Sequence, residues 1–225
     1  MVLDVLKRIR RINRVLDVGC TGSYFPYELS SLGFVVEGLD INPYHLRKPS
    51  FQFHVCDLTR TSFPDDYFDA VVAVSTVEHV GLGAYQDPVL ADGDRIALDE
   101  LARILSKGGY LLVTVPYARE YCDKWQRIYN WDILMSILPE NLSLVEAAFF
   151  VSQSSFSVPD PYSSLGGGKW KQVTKYEIEG RPVRRGVVCL LLEKCDSAKV
   201  EQEYSSPRSG DIMDNALHRN VVPRR

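Results

Sequence analysis

The sequence predicts an α/β protein built on a doubly wound, mostly parallel sheet with helices on both faces. Three observations predict it. Short Val-, Leu- and Ala-rich runs of strand length alternate with segments of helical period. Several of these runs end in a glycine or an aspartate, as strands do where they enter the loops at their carboxyl ends. The chain has 225 residues, 45% of them hydrophobic and 24% charged, which suits one domain with a buried core and excludes a collagen-like or globally disordered chain.

The elements follow in order. Residues 2–13 form a short basic helix whose charges read as a solvated face rather than a substrate or membrane patch. Arg14–Val18 is a buried strand that stops at Gly19. Ser23 is placed to cap the next helix, with Pro26 in its first turn and Gly33 closing it. Strands are expected at 34–39, 51–55 and 68–74, ending near Asp40, Asp57 and Val74. A long irregular stretch from Gly81 to Gly93 exceeds ordinary connections, and such loops are often functional. Asp94 is placed to cap a helix with Ala97, Leu101, Ile104 and Leu105 on one face, stopped by Lys107-Gly108-Gly109. A strand at 110–115, a helix at 130–138 and strands at 142–151 and 187–192 complete the domain. The last two strands lack a clear helix between them and are expected to pair antiparallel. The domain is thus expected over residues 1–195, with 196–225 as a polar, disordered tail.

Composition narrows function. The 26 basic and 29 acidic side chains leave a net charge of −3, so no nucleic-acid partner is expected. No apolar run reaches the ~18 residues of a membrane span, and no signal peptide is read at the N-terminus. The five cysteines (Cys20, Cys56, Cys122, Cys189, Cys195) lack CxxC spacing and suggest reduced thiols of a cytoplasmic protein.

The loop after the first strand reads Asp17-Val18-Gly19-Cys20-Thr21-Gly22-Ser23-Tyr24. Counted from Gly19, the dinucleotide fingerprint fails at Thr21 and Tyr24, and no P-loop occurs anywhere. Asp17, Asp40 and Asp57 instead stand at three strand ends. Carboxylates there favour a cationic or polyhydroxyl ligand and repel a polyphosphate.

The segments 15–22, Gly38-Leu39-Asp40, Val55-Cys56-Asp57-Leu58, 68–72 and Leu105-Ser106-Lys107-Gly108-Gly109 resemble, in order and spacing, the motifs of class I S-adenosylmethionine-dependent methyltransferases of the type-11 kind. Segments 75–83, 87–94, 127–130 and the Gly-rich stretch before Trp170 are similar to a branch found in nematodes and in bacterial surface-glycan gene neighbourhoods, a likeness that says little about substrate. The resemblance implies a Rossmann-like sheet of about seven strands with the last inserted antiparallel. It implies S-adenosylmethionine as cofactor. Gly19, Cys20 and Gly22 would lie at its methionine part, with Asp17 orienting that loop and the amino group. Asp40 would hold the ribose and Ile41 would pack on the adenine. Asp57 would accept from the adenine amino group beside Leu58, and Ser75 would belong to the same site. Other readings stay open: Gly19 and Gly22 as turn residues, Asp40 as a helix cap, Asp57 as a turn former for Thr59-Arg60. Thr21 and Ser23 stand where the family's later glycines do, which opens a second reading, a non-catalytic binding or scaffold protein.

Methyl transfer to oxygen or nitrogen needs an acceptor for the nucleophile's proton, and its place is after the fourth strand. Glu78 and His79 are the candidates there, with His79 titrating in the right range. Each also has a structural reading, Glu78 as a cap and His79 as a hydrogen-bonded loop residue. A Glu-His pair at this place resembles the metal pair of quinone-pathway O-methyltransferases, but Ser75 replaces their upstream acid, so no metal is expected. Tyr85, Gln86, Asp87, Asp92 and Asp94, with Tyr117, Arg119 and Tyr121, are candidates for a polar rim around a small-molecule or glycan acceptor, though Asp92 and Asp94 read more readily as caps. Residues 166–170 resemble a flap.

Overall fold

The computed structural model describes residues 2–9, 12–46, 49–152, 170–179 and 186–195; the expected tail and the glycines of the expected flap lie outside them. The elements are α1 (Val2–Arg8), β1 (Arg14–Val18), α2 (Phe25–Ser31), β2 (Val35–Asp40), β3 (Gln52–Val55), β4 (Phe68–Val74), α3 (Gly93–Ile104), β5 (Leu105–Pro116), β6 (Tyr121–Cys122), β7 (Arg127–Ile128), α4 (Trp131–Ser136), β8 (Leu142–Ser152), β9 (Trp170–Val173), α5 (Lys175–Glu179) and β10 (Gly186–Lys194).

The main sheet has eight strands in the order β3-β2-β1-β4-β5-β10-β8-β9. Pairs from β3 to β5 are parallel, whereas β10 runs antiparallel between β5 and β8, and β9 is antiparallel to β8. The expected count of seven is therefore corrected to eight. The added strand is β9, a four-residue edge strand directly after the Gly-rich stretch and too short to carry its own period. Trp170 pairs with Ser152 there and stays half exposed.

The sheet is buried on both faces because its central strands are apolar throughout. Ala70, Val71, Val72 and Ala73 of β4 are fully inaccessible. On one face Val5, Leu6 and Leu29 of α1 and α2 pack over Val15, Val36 and Val72. On the other, Ala97, Leu98 and Leu101 of α3, Leu134 of α4 and Ile178 of α5 cover Leu16, Val71 and Leu190.

Beside the connection from β2 to β3, Tyr27, Tyr44, Phe51 and Phe53 form an aromatic cluster. Two local readings change. Chain 105–109 belongs to β5, joined through a bulge where Phe68 faces Leu105 but Ala70 faces Tyr110. The N-cap of α3 is Asp92, not Asp94, and its side chain makes no cap bond. Asp94 lies in the first turn, where the Tyr129 hydroxyl donates to it at 2.9 Å and Arg127 Nε approaches at 3.5 Å. No helix among the described residues is long and apolar enough to cross a membrane.

Candidate active site

Five parallel strands bring the loops after β1, β2 and β4 to one end of the sheet. Gly19 adopts a left-handed φ of 73°, and a Cβ there would stand 2.2 Å from the Thr76 hydroxyl. That hydroxyl donates to the Val18 carbonyl at 3.0 Å, so Gly19 lets the first loop close against the chain leaving β4. This is more than a turn role. Gly22 differs: its φ is not positive and a Cβ would meet nothing within 4 Å, so folding does not demand glycine there.

Thr21 and Ser23 are bonded to the loop after β2. The Thr21 amide donates to Asp40 Oδ2 at 3.0 Å and its hydroxyl to the Asn42 carbonyl at 2.9 Å. His45 Nδ1 lies 2.6 Å from the Thr21 carbonyl, and the Tyr44 hydroxyl donates to the Ser23 carbonyl. Side chains of the second loop thus hold the first in a defined path without the family's later glycines. Sequence reasoning missed Asn42, Tyr44 and His45; the aromatic pair after the Asp40 strand end was the available signal.

Asp40 keeps a position suited to a ribose. Each oxygen accepts one backbone N–H, Oδ1 from Asn42 and Oδ2 from Thr21, and a carboxylate has further acceptor capacity. These contacts fix its orientation and replace the helix-cap reading. Asp17 is buried, and its Oδ2 has no hydrogen-bond partner among the described residues. Burial first, and then the charge of Asp40, pushes its carboxyl up to about 8. Cys20 turns its thiol inward, 3.9 Å from the Leu39 carbonyl, and burial raises it far above the ordinary thiol range. It is packing against β2, not a reactive group.

Asp57 does what the turn reading expects: Oδ1 accepts from the amide and the hydroxyl of Thr59, both at 2.8 Å. Leu58 is buried in the main apolar cluster, and Ile41 is partly exposed after β2.

After β4, Ser75 sits at a left-handed φ of 48°, a strained position for a non-glycine residue. Its amide donates to the Thr114 carbonyl and hydroxyl, both at 3.0 Å. Glu78 and His79 lie in a single 3-10 turn, Val77–His79. Glu78 is 1% exposed, and its Oε2 has no hydrogen-bond partner among the described residues. Burial lifts it to about 8, so it holds a proton at neutral pH. His79 Nδ1 lies 2.6 Å from the Trp125 carbonyl, which fixes the tautomer: Nδ1–H donates and Nε2 keeps its lone pair. Nε2 stands 3.8 Å from Glu78 Oε1, and burial lowers the imidazole below its usual pKa.

The long loop is a closed structure. Gly81 and Gly93 meet back to back, where a Cβ on Gly93 would come 2.6 Å from Gly81 Cα. Asp87 accepts from the amides of Gly81 and Tyr85 at 2.6 and 3.2 Å. Arg127 donates to the Val80 carbonyl at 2.7 Å from the neighbouring ribbon β6–β7. Tyr85 is thereby set against His79, within the electrostatic reach of both Glu78 and Asp40. Of the expected rim, Tyr117 must be withdrawn: it is fully buried and its hydroxyl donates to Glu179. Asp94 is withdrawn for its bonds to Tyr129 and Arg127. Arg119 lines a separate open cavity of about 610 Å³ with Asn130, Trp131, Asp132, Lys175 and Glu179.

Fold and site together define a Rossmann-like α/β sheet with its candidate site at the carboxyl ends of the parallel strands. Residues 16–113 match the family model of a methyltransferase domain. A SAM-dependent methyltransferase from Methanosarcina mazei is 15% identical, with a TM-score of 0.58 over 86% of this chain and 98% of that one. A 1,6-didemethyltoxoflavin-N1-methyltransferase from Burkholderia thailandensis, solved with its namesake compound and S-adenosylhomocysteine, is 13% identical, with a TM-score of 0.57 over 86% of this chain and 76% of that one. Among curated proteins, the eEF1A lysine and N-terminal methyltransferase of Bos taurus is 30% identical over 123 residues, 50% of this chain. The chain spans only 17% of that relative's length. The matched methyltransferase segment supports S-adenosylmethionine as the cofactor. The residues fit it: an orphaned buried carboxylate oxygen on Asp17 suits an ammonium, and Asp40 suits a ribose.

Proposed function

We propose that this chain transfers a methyl group from S-adenosylmethionine to a hydroxyl of a small molecule or glycan. The observation that carries the reading is the tautomer of His79, held by the Trp125 carbonyl with Nε2 as the accepting nitrogen. The cofactor supplies an activated methyl group, whose transfer makes a C–O bond and leaves the C–S electron pair on sulfur. The protein's own share is alignment and proton handling. Asp17 and Asp40 bind and orient, Gly19 and Thr76 fix the loop, and Ser75 belongs to the floor of the same site. His79 Nε2 takes the acceptor proton. Glu78, protonated in its dry surroundings, keeps the imidazole neutral by adding no charge beside it. Asp57 serves the Thr59 turn and, in this reading, also accepts from the adenine amino group, with Ile41 and the chain at Leu58 alongside.

The glycan alternative draws on the sequence resemblance to the branch from surface-glycan gene neighbourhoods. A second acceptor reading, a protein amine, draws on the bovine lysine and N-terminal methyltransferase. The non-catalytic reading rested on Thr21 and Ser23, whose bonds now account for the altered loop. Calorimetry with S-adenosylmethionine, followed by methyl transfer to hydroxyl and amine panels, tests the proposal. Binding and hydroxyl turnover that falls in His79→Gln support it; absence of binding, or amine-only turnover, overturns it.

A further inference from the structure

Tyr85 and Trp125 are large aromatic side chains left 39% and 51% exposed beside the proposed base. Their rings lie 5.3 Å apart at 41°, and each meets the His79 ring edge-on, at 5.3 and 6.4 Å. Nothing about this arrangement is loose. The Tyr85 amide is held by Asp87, whose other oxygen grips Gly81. Amides of Trp125 and Gln126 donate to Asp123 Oδ1 at 2.7 and 2.8 Å, and the Trp125 carbonyl lies against His79. Two separate loops are thus built to hold two rings at the mouth of the site rather than in a core.

We infer that Tyr85 and Trp125 form a stacking platform for a neutral, hydroxyl-bearing ring, holding its hydroxyl at His79 Nε2. This rests on the hydroxyl-transfer reading above and names its acceptor class. The chemistry argues for a ring because exposed aromatic faces reward flat or ring-shaped partners. A neutral ring rather than a cation follows from the hydroxyl-transfer reading, because an ammonium brings no hydroxyl to His79 Nε2; Asp87 and Asp123 accept backbone N–H groups that hold the two loops. An anionic acceptor is disfavoured by the same acids. A phenol and a pyranose share the required chemistry, and the test separates them.

The test is saturation-transfer NMR on the full chain loaded with S-adenosylhomocysteine, using phenol, methyl β-glucopyranoside and N-acetyl-lysinamide as probes. At least one ring probe should bind. Its affinity should fall roughly three- to tenfold in Tyr85→Ala and in Trp125→Ala, the range of a lost aromatic contact, and be kept by Tyr85→Phe. Calorimetry on the same variants should show unchanged S-adenosylhomocysteine affinity, because neither ring contacts the cofactor loops. Ring binding that both variants retain, binding by neither ring probe, or preferential binding of the lysine probe overturns the inference. Failure of the wild type to bind S-adenosylhomocysteine would instead overturn the cofactor reading, and ring binding would remain readable without it.

Discussion

Asp17 and Glu78 each bury a carboxylate oxygen that no group among the described residues satisfies. Such groups destabilise the fold once ionised. Both are pushed from ordinary values of 3.8 and 4.5 up to about 8 in the folded chain. A group that holds its proton more tightly when folded gives its full stability below its unfolded pKa and loses it as pH rises through the folded value. Stability of the cofactor-free protein should therefore fall between about pH 4 and pH 8. Asp17→Asn should flatten that fall and raise Tm at pH 8 by several degrees, at about 2–4 °C per kcal/mol for a domain this size, while weakening cofactor binding at least tenfold. A thermal melt series across pH checks the first and calorimetry the second. An unchanged pH slope in Asp17→Asn would contradict the burial argument. His79 has the opposite displacement: its lowered pKa keeps Nε2 unprotonated further into acid than a free imidazole. In a cofactor-saturated assay, kcat should hold below pH 6.5, and His79→Gln should lower it about 10²-fold or more. A wild-type acid limb at or above the ordinary imidazole pKa would contradict a buried neutral base.

At the scale of elements, the closed loop between Gly81 and Gly93 should behave as one unit. A Cβ on Gly93 has backbone atoms of Gly81 and Val80 within 2.8 Å and no flexible side chain to displace. Gly93→Ala should therefore cost about 1–3 kcal/mol and raise the acceptor KM with the cofactor affinity retained, measurable by chemical denaturation and steady-state kinetics. Loss of cofactor affinity equal to the loss of acceptor affinity would show that the loop serves both. Much of this architecture was legible in the sequence. Arg14–Val18 and Phe68–Val74 coincide with the expected strands because their apolar runs are short and sharply ended. The antiparallel pairing of β8 and β10 was expected because no clear helical period separates them in sequence; the helix found there, α5, has five residues. What escaped depends on tertiary contact. Edge strand β9 has too few residues to show a period, and Asp94 looked like a cap because its partners, Arg127 and Tyr129, are over thirty residues away. Thr21 and Ser23 looked like defects in a glycine motif because the groups that hold them, Asn42 and Tyr44, belong to a different loop. Trp125 was invisible for the same reason: its carbonyl, not its side chain, fixes His79 across 46 residues of sequence.

Across the whole molecule, acids stand at one end of a parallel sheet while the net charge is only −3. The charge is local: Asp17 and Asp40 share one field, and Tyr85 lies within reach of both Asp40 and Glu78. If Asp17 must ionise to receive an ammonium, binding releases a proton, and affinity should rise with pH by up to about tenfold per unit until Asp17 is ionised near pH 8. The most direct measurement is calorimetry of S-adenosylmethionine with the wild type, Asp17→Asn and Asp40→Ala between pH 6 and pH 8.5. The account predicts that the wild type binds with proton release and tightens with pH, that Asp17→Asn binds weakly without that slope, and that Asp40→Ala binds weakly with it. Wild-type binding that is independent of pH, or that survives both substitutions, would contradict it.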